Sequence, residues 1–228
     1  MSAVTARPEF GTGPLTRAAA LIYTLLTAGL LFLLTAGPGL AVLVLLSRDA
    51  SNLPLVAACS LPVGPAASAV LYTLHRHRGD LADLRPARAF WRGYRANLRG
   101  VLSVWLPLLA WLTVLAVNLT HLGAAGLPGW WVAPLALVTV VALLWGGNAL
   151  VIHSLFAFRA RDVARLAGHY LTRTPSVTLG VLGLLAVAAC VTAVWSEAVL
   201  MLLFPVLAFA LLRVSRPMID DLRKEFTA

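Results

Sequence analysis

Charged residues fall in a few short clusters along this chain, and what lies between them is almost entirely apolar. Residues 18–47, 50–75, 100–158, 174–196 and 198–212 contain no Asp, Glu, Lys or Arg, and together they make up about two thirds of the 228 residues. A helix needs about 20 apolar residues to cross a hydrocarbon core of about 30 Å, so these blocks can be read as spans. The first predicts a span at about 19–46, with Gly37-Pro38-Gly39 allowing a bend or early unwinding near its far end. The second, at about 53–74, carries Leu61-Pro62-Val63-Gly64-Pro65. It must be interrupted there, because proline removes a backbone donor and clashes with the carbonyl four residues back. The long run 100–158 divides at the turn residues Gly123 to Gly129 into spans at about 101–121 and 130–156. The last two, at about 176–194 and 198–212, form a tight hairpin around Trp195, Ser196 and Glu197. The chain reads as a single integral membrane domain, residues 1–228. Its predicted class is all-α, a polytopic transmembrane helix bundle of six spans, or five if the last apolar stretch does not cross.

The charges bear on that threading independently. With six spans, 17 of the 18 basic residues share one side of the membrane, and Arg48 alone lies on the other. Dropping the last span would strand Arg213, Arg216, Arg223 and Lys224 among the opposite loops. Basic residues collect on the cytoplasmic side of membrane proteins, so both termini are expected in the cytoplasm.

Two linkers on that side have helical periodicity of their own. Over about 84–99, at 100° per residue, Arg85, Arg88, Arg92, Arg95 and Arg99 fall within an arc of about 80°. Leu84, Ala87, Phe90, Trp91, Tyr94 and Leu98 take the other side. This predicts a basic amphipathic helix, with Pro86 tolerated in its first turn. The expected partner for Arg85, Arg88, Trp91, Arg92, Arg95 and Arg99 is the anionic headgroup layer. Another membrane or cytoplasmic subunit is the alternative. A weaker version recurs at 161–173, so one or two cytoplasmic interfacial helices are expected.

Composition removes most other classes of function. Hydrophobic residues make up 60% of the chain and charged ones 12%, against about 25% charged in soluble domains. The net charge of +9 is accounted for by the one-sided basic clusters, and no nucleic-acid partner is expected. Cys59 and Cys190 lie in apolar stretches and read as small buried hydrophobes, without a disulfide framework or metal site. Apart from His153, near the inner end of the fourth span, the spans hold no ionisable side chain away from their edges. Proton relays and intramembrane hydrolysis depend on such groups. No enzyme activity, catalytic residue, metal or cofactor is expected, and a nucleotide-binding Walker loop is missing. The residues that could build a polar cavity for a neutral solute are the helix break at Pro62, Gly64 and Pro65 together with Asn118 and Asn148. The simpler reading is that they knit helices together.

Three segments resemble the YesL family of bacterial membrane proteins. Phe10, Gly13-Pro14-Leu15 and Arg17 precede the first span. Leu61-Pro62-Val63-Gly64-Pro65-Ala66-Ala67-Ser68-Ala69-Val70-Leu71-Tyr72 is similar to that family's Pro-x-x-x-Gly-Pro-Ala-x-x-Ala-x-Tyr stretch. Phe90-Trp91-Arg92-Gly93-Tyr94-Arg95-Ala96-Asn97-Leu98-Arg99 is similar to its aromatic-basic-Asn segment. The resemblance covers the first 120 residues. Where the family has an Asn-Leu-Leu-Trp-like element in the first span, this chain reads Thr27-Ala28-Gly29-Leu30. The resemblance implies a bacterial inner-membrane protein associated with carbohydrate uptake or utilisation, and no mechanism. The expected function is an accessory or transport component for small neutral solutes. The alternative is a non-transporting scaffold whose basic helix recruits a partner. A permease subunit of an ATP-driven importer fits less well, because no Glu-Ala-Ala-x-x-x-Gly coupling loop is present.

Overall fold

The computed structural model describes residues 13–47, 49–76, 85–126 and 128–226. Arg7, Arg48, Arg78 and Leu84 lie outside them. The described residues form helices joined by short turns. These are α1 (Pro14–Leu45), α2 (Leu53–Cys59), α3 (Val63–His75), α4 (Pro86–His121), α5 (Val132–Leu155), α6 (Ala160–Arg173), α7 (Pro175–Val194), α8 (Glu197–Val214) and α9 (Arg216–Phe226), with short 3₁₀ turns leading into α2 and α5. Helices α1, α4, α5, α7 and α8 are each long and apolar enough to cross a membrane. The all-α membrane bundle is therefore the architecture of this chain. The last apolar stretch, α8, qualifies as a span by itself. The count of five or six turns instead on the second, where α2 and α3 together reach spanning length only across a 41° bend.

Local sequence accounts for the ends of these helices. Proline stands at the first or second position of α1, α2, α4 and α7, where its missing N–H costs nothing. Ser196 caps α8 by accepting the Val199 N–H at 3.4 Å. Helix α1 continues through Pro38 to Leu45, so the bend or unwinding allowed at Gly37-Pro38-Gly39 does not end it. The break between α2 and α3 occupies Ser60–Pro62. Pro62 cannot donate to the Ala58 carbonyl, and the Leu61 N–H serves it instead at 3.2 Å.

Helix α3 is the hub of the bundle. All but three of its residues are buried, among them Ala66, Ala69, Val70 and Leu71 at 0% exposure, and α1, α4, α5 and α8 surround it. Small residues make this enclosure feasible, since Gly64, Ala66, Ala67, Ser68 and Ala69 let neighbouring backbones come close. The hydropathy that marked residues 53–74 as a span thus reflects burial in protein as much as contact with lipid.

The expected interfacial helix is not a separate element. Residues 86–99 run without a break into 101–121 as the 36-residue α4, about 54 Å long at 1.5 Å per residue. Gly100 does not interrupt it. One glycine costs a helix only about 1 kcal/mol, and this one is packed against the His153 ring.

At the arginine-rich end, α6 and α9 complete a second layer. Helix α6 buries Val163, Ala167 and Tyr170, and α9 buries Met218, Ile219 and Leu222. Helix α9 lies beyond the last predicted span, and the sequence reading assigned no element there. Its signal is the i, i+1, i+4 spacing of Met218, Ile219 and Leu222 after Pro217. It is tied down twice: Arg173 pairs with Glu225 at 2.8 Å, and Arg223 donates to His75 Nε2 at 2.7 Å. The second bond requires an unprotonated ring nitrogen, because a guanidinium has no acceptor.

Candidate functional site

Two features stand out, a buried polar joint and an exposed arginine face, and α4 carries both. The joint forms where α3, α4 and α5 meet. Asn97 Nδ2 donates to Ser68 Oγ at 3.1 Å and to the Ser154 carbonyl at 3.3 Å, and the Ser68 and Ser154 hydroxyls are 2.9 Å apart. Ser154 Oγ also lies 2.5 Å from the Leu150 carbonyl. With one hydroxyl proton each, the network closes if Ser154 donates to Leu150 and Ser68 donates to Ser154. Ser154 is the penultimate residue of α5, so its carbonyl has no partner within the helix. Asn97 supplies one from a neighbouring span. The chemistry of the joint is structural: amide and hydroxyl groups hold three helices in register, and Asn97 was not among the residues the sequence singled out.

Close packing continues the register on both sides of the joint. Gly93 lies against the Tyr72 ring and Gly64 against Trp105, where an added Cβ would approach ring carbons to 2.7 and 2.6 Å respectively. Helix α4 therefore runs antiparallel along the whole of α3. Trp105 Nε1 donates to the Ser60 carbonyl at 3.1 Å, so the irregular backbone at the break is satisfied by an indole rather than left for a ligand. Trp105 thus serves the break, whereas Trp130, Trp131 and Trp195 are exposed.

The proposed cavity residues are not brought together. Gly64 and Pro65 are buried and Pro62 is half-buried at the break. Asn118 is exposed on α4, where Nδ2 donates to its own helix at the Val114 carbonyl, 2.8 Å away. This corrects its placement in an interior cavity. An amide pointing out of a helix can fold back onto the preceding turn, a contact that sequence spacing does not reveal. Asn148 is 1% exposed, and neither its Nδ2 nor its Oδ1 has a hydrogen bond among the described residues. The half-open crevice between α4 and α5, lined by Val101, Trp105, Leu108, Gly146, Ala149 and His153 among others, measures about 10 Å³, roughly the space of one water. Cys190 is exposed on α7, against the expectation of burial, and Cys59 is half-buried. No group of three metal-binding side chains occurs among the described residues.

The second feature is the arginine face. Arg85, Arg88, Arg92, Arg95 and Arg99 are all exposed, and none has an ion pair with a described carboxylate. Trp91 is 38% exposed beside them. Arg88, Trp91, Arg92, Arg95 and Ala96 line an open depression of about 760 Å³. The opposite side of this half-helix is occupied by protein: Phe90 is 0% exposed, Gly93 is buried, and Tyr94 stacks on Phe90 at 6.2 Å. An interfacial helix would bury that side in acyl chains. Here α3 and its neighbours cover it. Mean polarity along 84–99 is the same in both arrangements, so the sequence alone could not separate them.

Residues 18–119 match a protein family described as "Protein of unknown function, DUF624". The match covers the first span, the broken second span, the arginine face and all but two residues of α4. It includes two of the three segments that resemble the YesL family, 61–72 and 90–99. No curated protein and no solved structure matches the chain. The match ends just before the turn that leads to α5, although Asn97 and Gly100 make their contacts with Ser154 and His153 beyond it.

The layer formed by α6 and α9 holds a tyrosine with a displaced pKa. Tyr170 is buried on α6, and its hydroxyl has no hydrogen bond among the described residues. Burial raises its phenol above the ordinary value, Glu225 and Asp221 add to this, and Arg173 partly opposes it. A raised folded-state pKa leaves stability constant below pH 10 and removes it as pH climbs further, because the unfolded phenol ionises first. Tyr170→Phe is expected to match or exceed the parent by about 1 kcal/mol at pH 7, since it removes an unpaired buried hydroxyl. Its advantage should widen above pH 10. Thermal melts at pH 7 and pH 10.5 test this, and a Phe variant that loses stability at pH 7 would show that the hydroxyl has a partner.

Proposed function

We propose that this protein is a non-enzymatic membrane platform of the bacterial inner membrane. Its arginine-rich end lies in the cytoplasm and recruits another component, within machinery for carbohydrate uptake or utilisation. One observation carries the reading: five exposed arginines, none paired with a described carboxylate, stand on a half-helix whose Phe90 and Gly93 are already buried in protein. The one-sided distribution of basic residues supports the orientation, and the YesL resemblance supports the carbohydrate association. The partner is a lipid surface or a further subunit; a nucleic acid has no support.

Orientation has a direct test. In a background free of Cys59 and Cys190, cysteines placed at Ala124 and Lys224, both exposed, should differ in intact cells. An impermeant thiol reagent should label the first and spare the second. The reverse pattern overturns the topology.

A second reading keeps the protein as an accessory or transport component for small neutral solutes, and one observation favours it. Asn148 is a buried amide with both polar atoms free of hydrogen bonds among the described residues, a state that costs stability and calls for a reason. Flux of labelled monosaccharides into vesicles holding the purified protein alone would favour this reading. Co-purification of a partner without flux favours the platform.

A further inference from the structure

We infer that the arginine face of α4 docks an acidic protein segment carrying an apolar anchor, rather than the lipid headgroup layer; this rests on the platform reading and names its partner class. Position decides between the two. Asn97 is level with Ser154, the penultimate residue of α5, so residues 86–96 of α4 extend past the end of that span. From Asn97 to Pro86 the helix advances about 17 Å, and the stripe from Arg99 to Arg85 covers about 21 Å. A headgroup layer is about 5–8 Å thick on each side. Even at a tilt of 40°, the upper end of what spans adopt, Pro86 stands about 13 Å beyond Asn97. With the hydrocarbon boundary set at the end of α5, headgroups reach Arg99 and Arg95 at the base of the stripe, and Arg85, Arg88 and Arg92 project into water.

A helix that inserts into the interface also needs a free apolar side. Phe90 and Gly93 have none to offer, because they are packed on protein. What remains exposed is a row of guanidinium groups flanking Trp91 above a depression of about 760 Å³. Arg and Trp together are the residue types most enriched where protein surfaces bind one another. Carboxylates spaced i, i+3 or i+4, i+7 along a partner helix meet guanidinium groups at the same spacing, in bidentate geometry. An apolar residue among them seats on Trp91. The stripe's length corresponds to about four turns of such a helix.

The test uses the full-length protein in nanodiscs of phosphatidylcholine alone and of phosphatidylcholine with 30% phosphatidylglycerol. The probe is a fluorescent 18-residue helical peptide with Glu on one face and a central Leu. In neutral nanodiscs the peptide should bind saturably. Arg88→Glu/Arg92→Glu should weaken it at least tenfold, and Trp91→Ala at least threefold. Arg161→Glu/Arg165→Glu on α6, with the same change in net charge, should change it less than twofold. A Leu→Ser peptide should lose affinity by the same factor on the parent as Trp91→Ala does with the original. Equal loss for both arginine pairs, or no saturable binding, overturns the proposal. So does binding that is abolished by phosphatidylglycerol and replaced by retention of that lipid at Arg88 and Arg92, since the surface then belongs to the bilayer. Solute flux by the purified protein, by contrast, would sink the platform reading without touching the peptide result.

Discussion

Gly39→Ala should lower the stability of this protein by about 3 kcal/mol, while Gly37→Ala two residues away should stay within about 1 kcal/mol of the parent. The reason lies in what each added Cβ meets. At Gly39 it would overlap the backbone carbonyl of Cys59, with the Pro62 ring 3.3 Å away. A backbone carbonyl at the end of α2 cannot rotate aside as a side chain can, so α1 must move away from the break or the break must open. At Gly37 nothing lies within 4 Å. There the better helix propensity of alanine is offset by crowding against Pro38. For a chain of this size about 3 kcal/mol corresponds to a drop in Tm of about 6–12 °C. Intrinsic tryptophan fluorescence of the detergent-solubilised protein reports it. Similar melting temperatures for the two variants would mean that α1 does not touch the break.

Asn97→Leu is expected to cost about 2 kcal/mol, and Asn118→Leu nothing measurable. The two asparagines lie on the same helix and look alike in the sequence. Asn97 holds the Ser68 hydroxyl and the orphan Ser154 carbonyl at once. Leucine of similar volume leaves that carbonyl buried in protein and unpaired, which costs more than the bond itself was worth. Asn118 bonds only its own helix and is exposed, so leucine removes a local contact and adds an apolar side chain to a surface in lipid. Ser68→Ala should cost less than Asn97→Leu, because the Ser154 carbonyl keeps its donor. Thermal melts of the three variants in one detergent give the comparison. Equal losses at positions 97 and 118 would remove the joint from the account.

Much of the architecture was legible in order along the chain. The bilayer sets a length scale of about 20 residues, so α1, α4, α5, α7 and α8 follow from counting apolar positions, and the break in the second span from Pro62. The stripe of five arginines follows from 100° per residue, and all five are exposed. Helix α9 carried an apolar spacing of Met218, Ile219 and Leu222 that was there to be read, but its charge density concealed it.

The tertiary structure decided which surfaces face what. Hydropathy records that a side chain avoids water, and lipid and protein interior satisfy it equally well. Helix α3 therefore resembles a lipid-facing span yet is wrapped by four others, and Phe90 resembles a membrane anchor yet is covered by protein. An amide's spacing along a helix is likewise silent about whether it bonds a neighbouring span, as Asn97 does, its own preceding turn, as Asn118 does, or no described residue, as Asn148 does. The continuity of α4 belongs to the same class, because Gly100 permits either a joint or a rod. Its packing against His153, together with the contacts of Asn97 beside it, selects the rod, and the rod carries the arginine face past the end of α5.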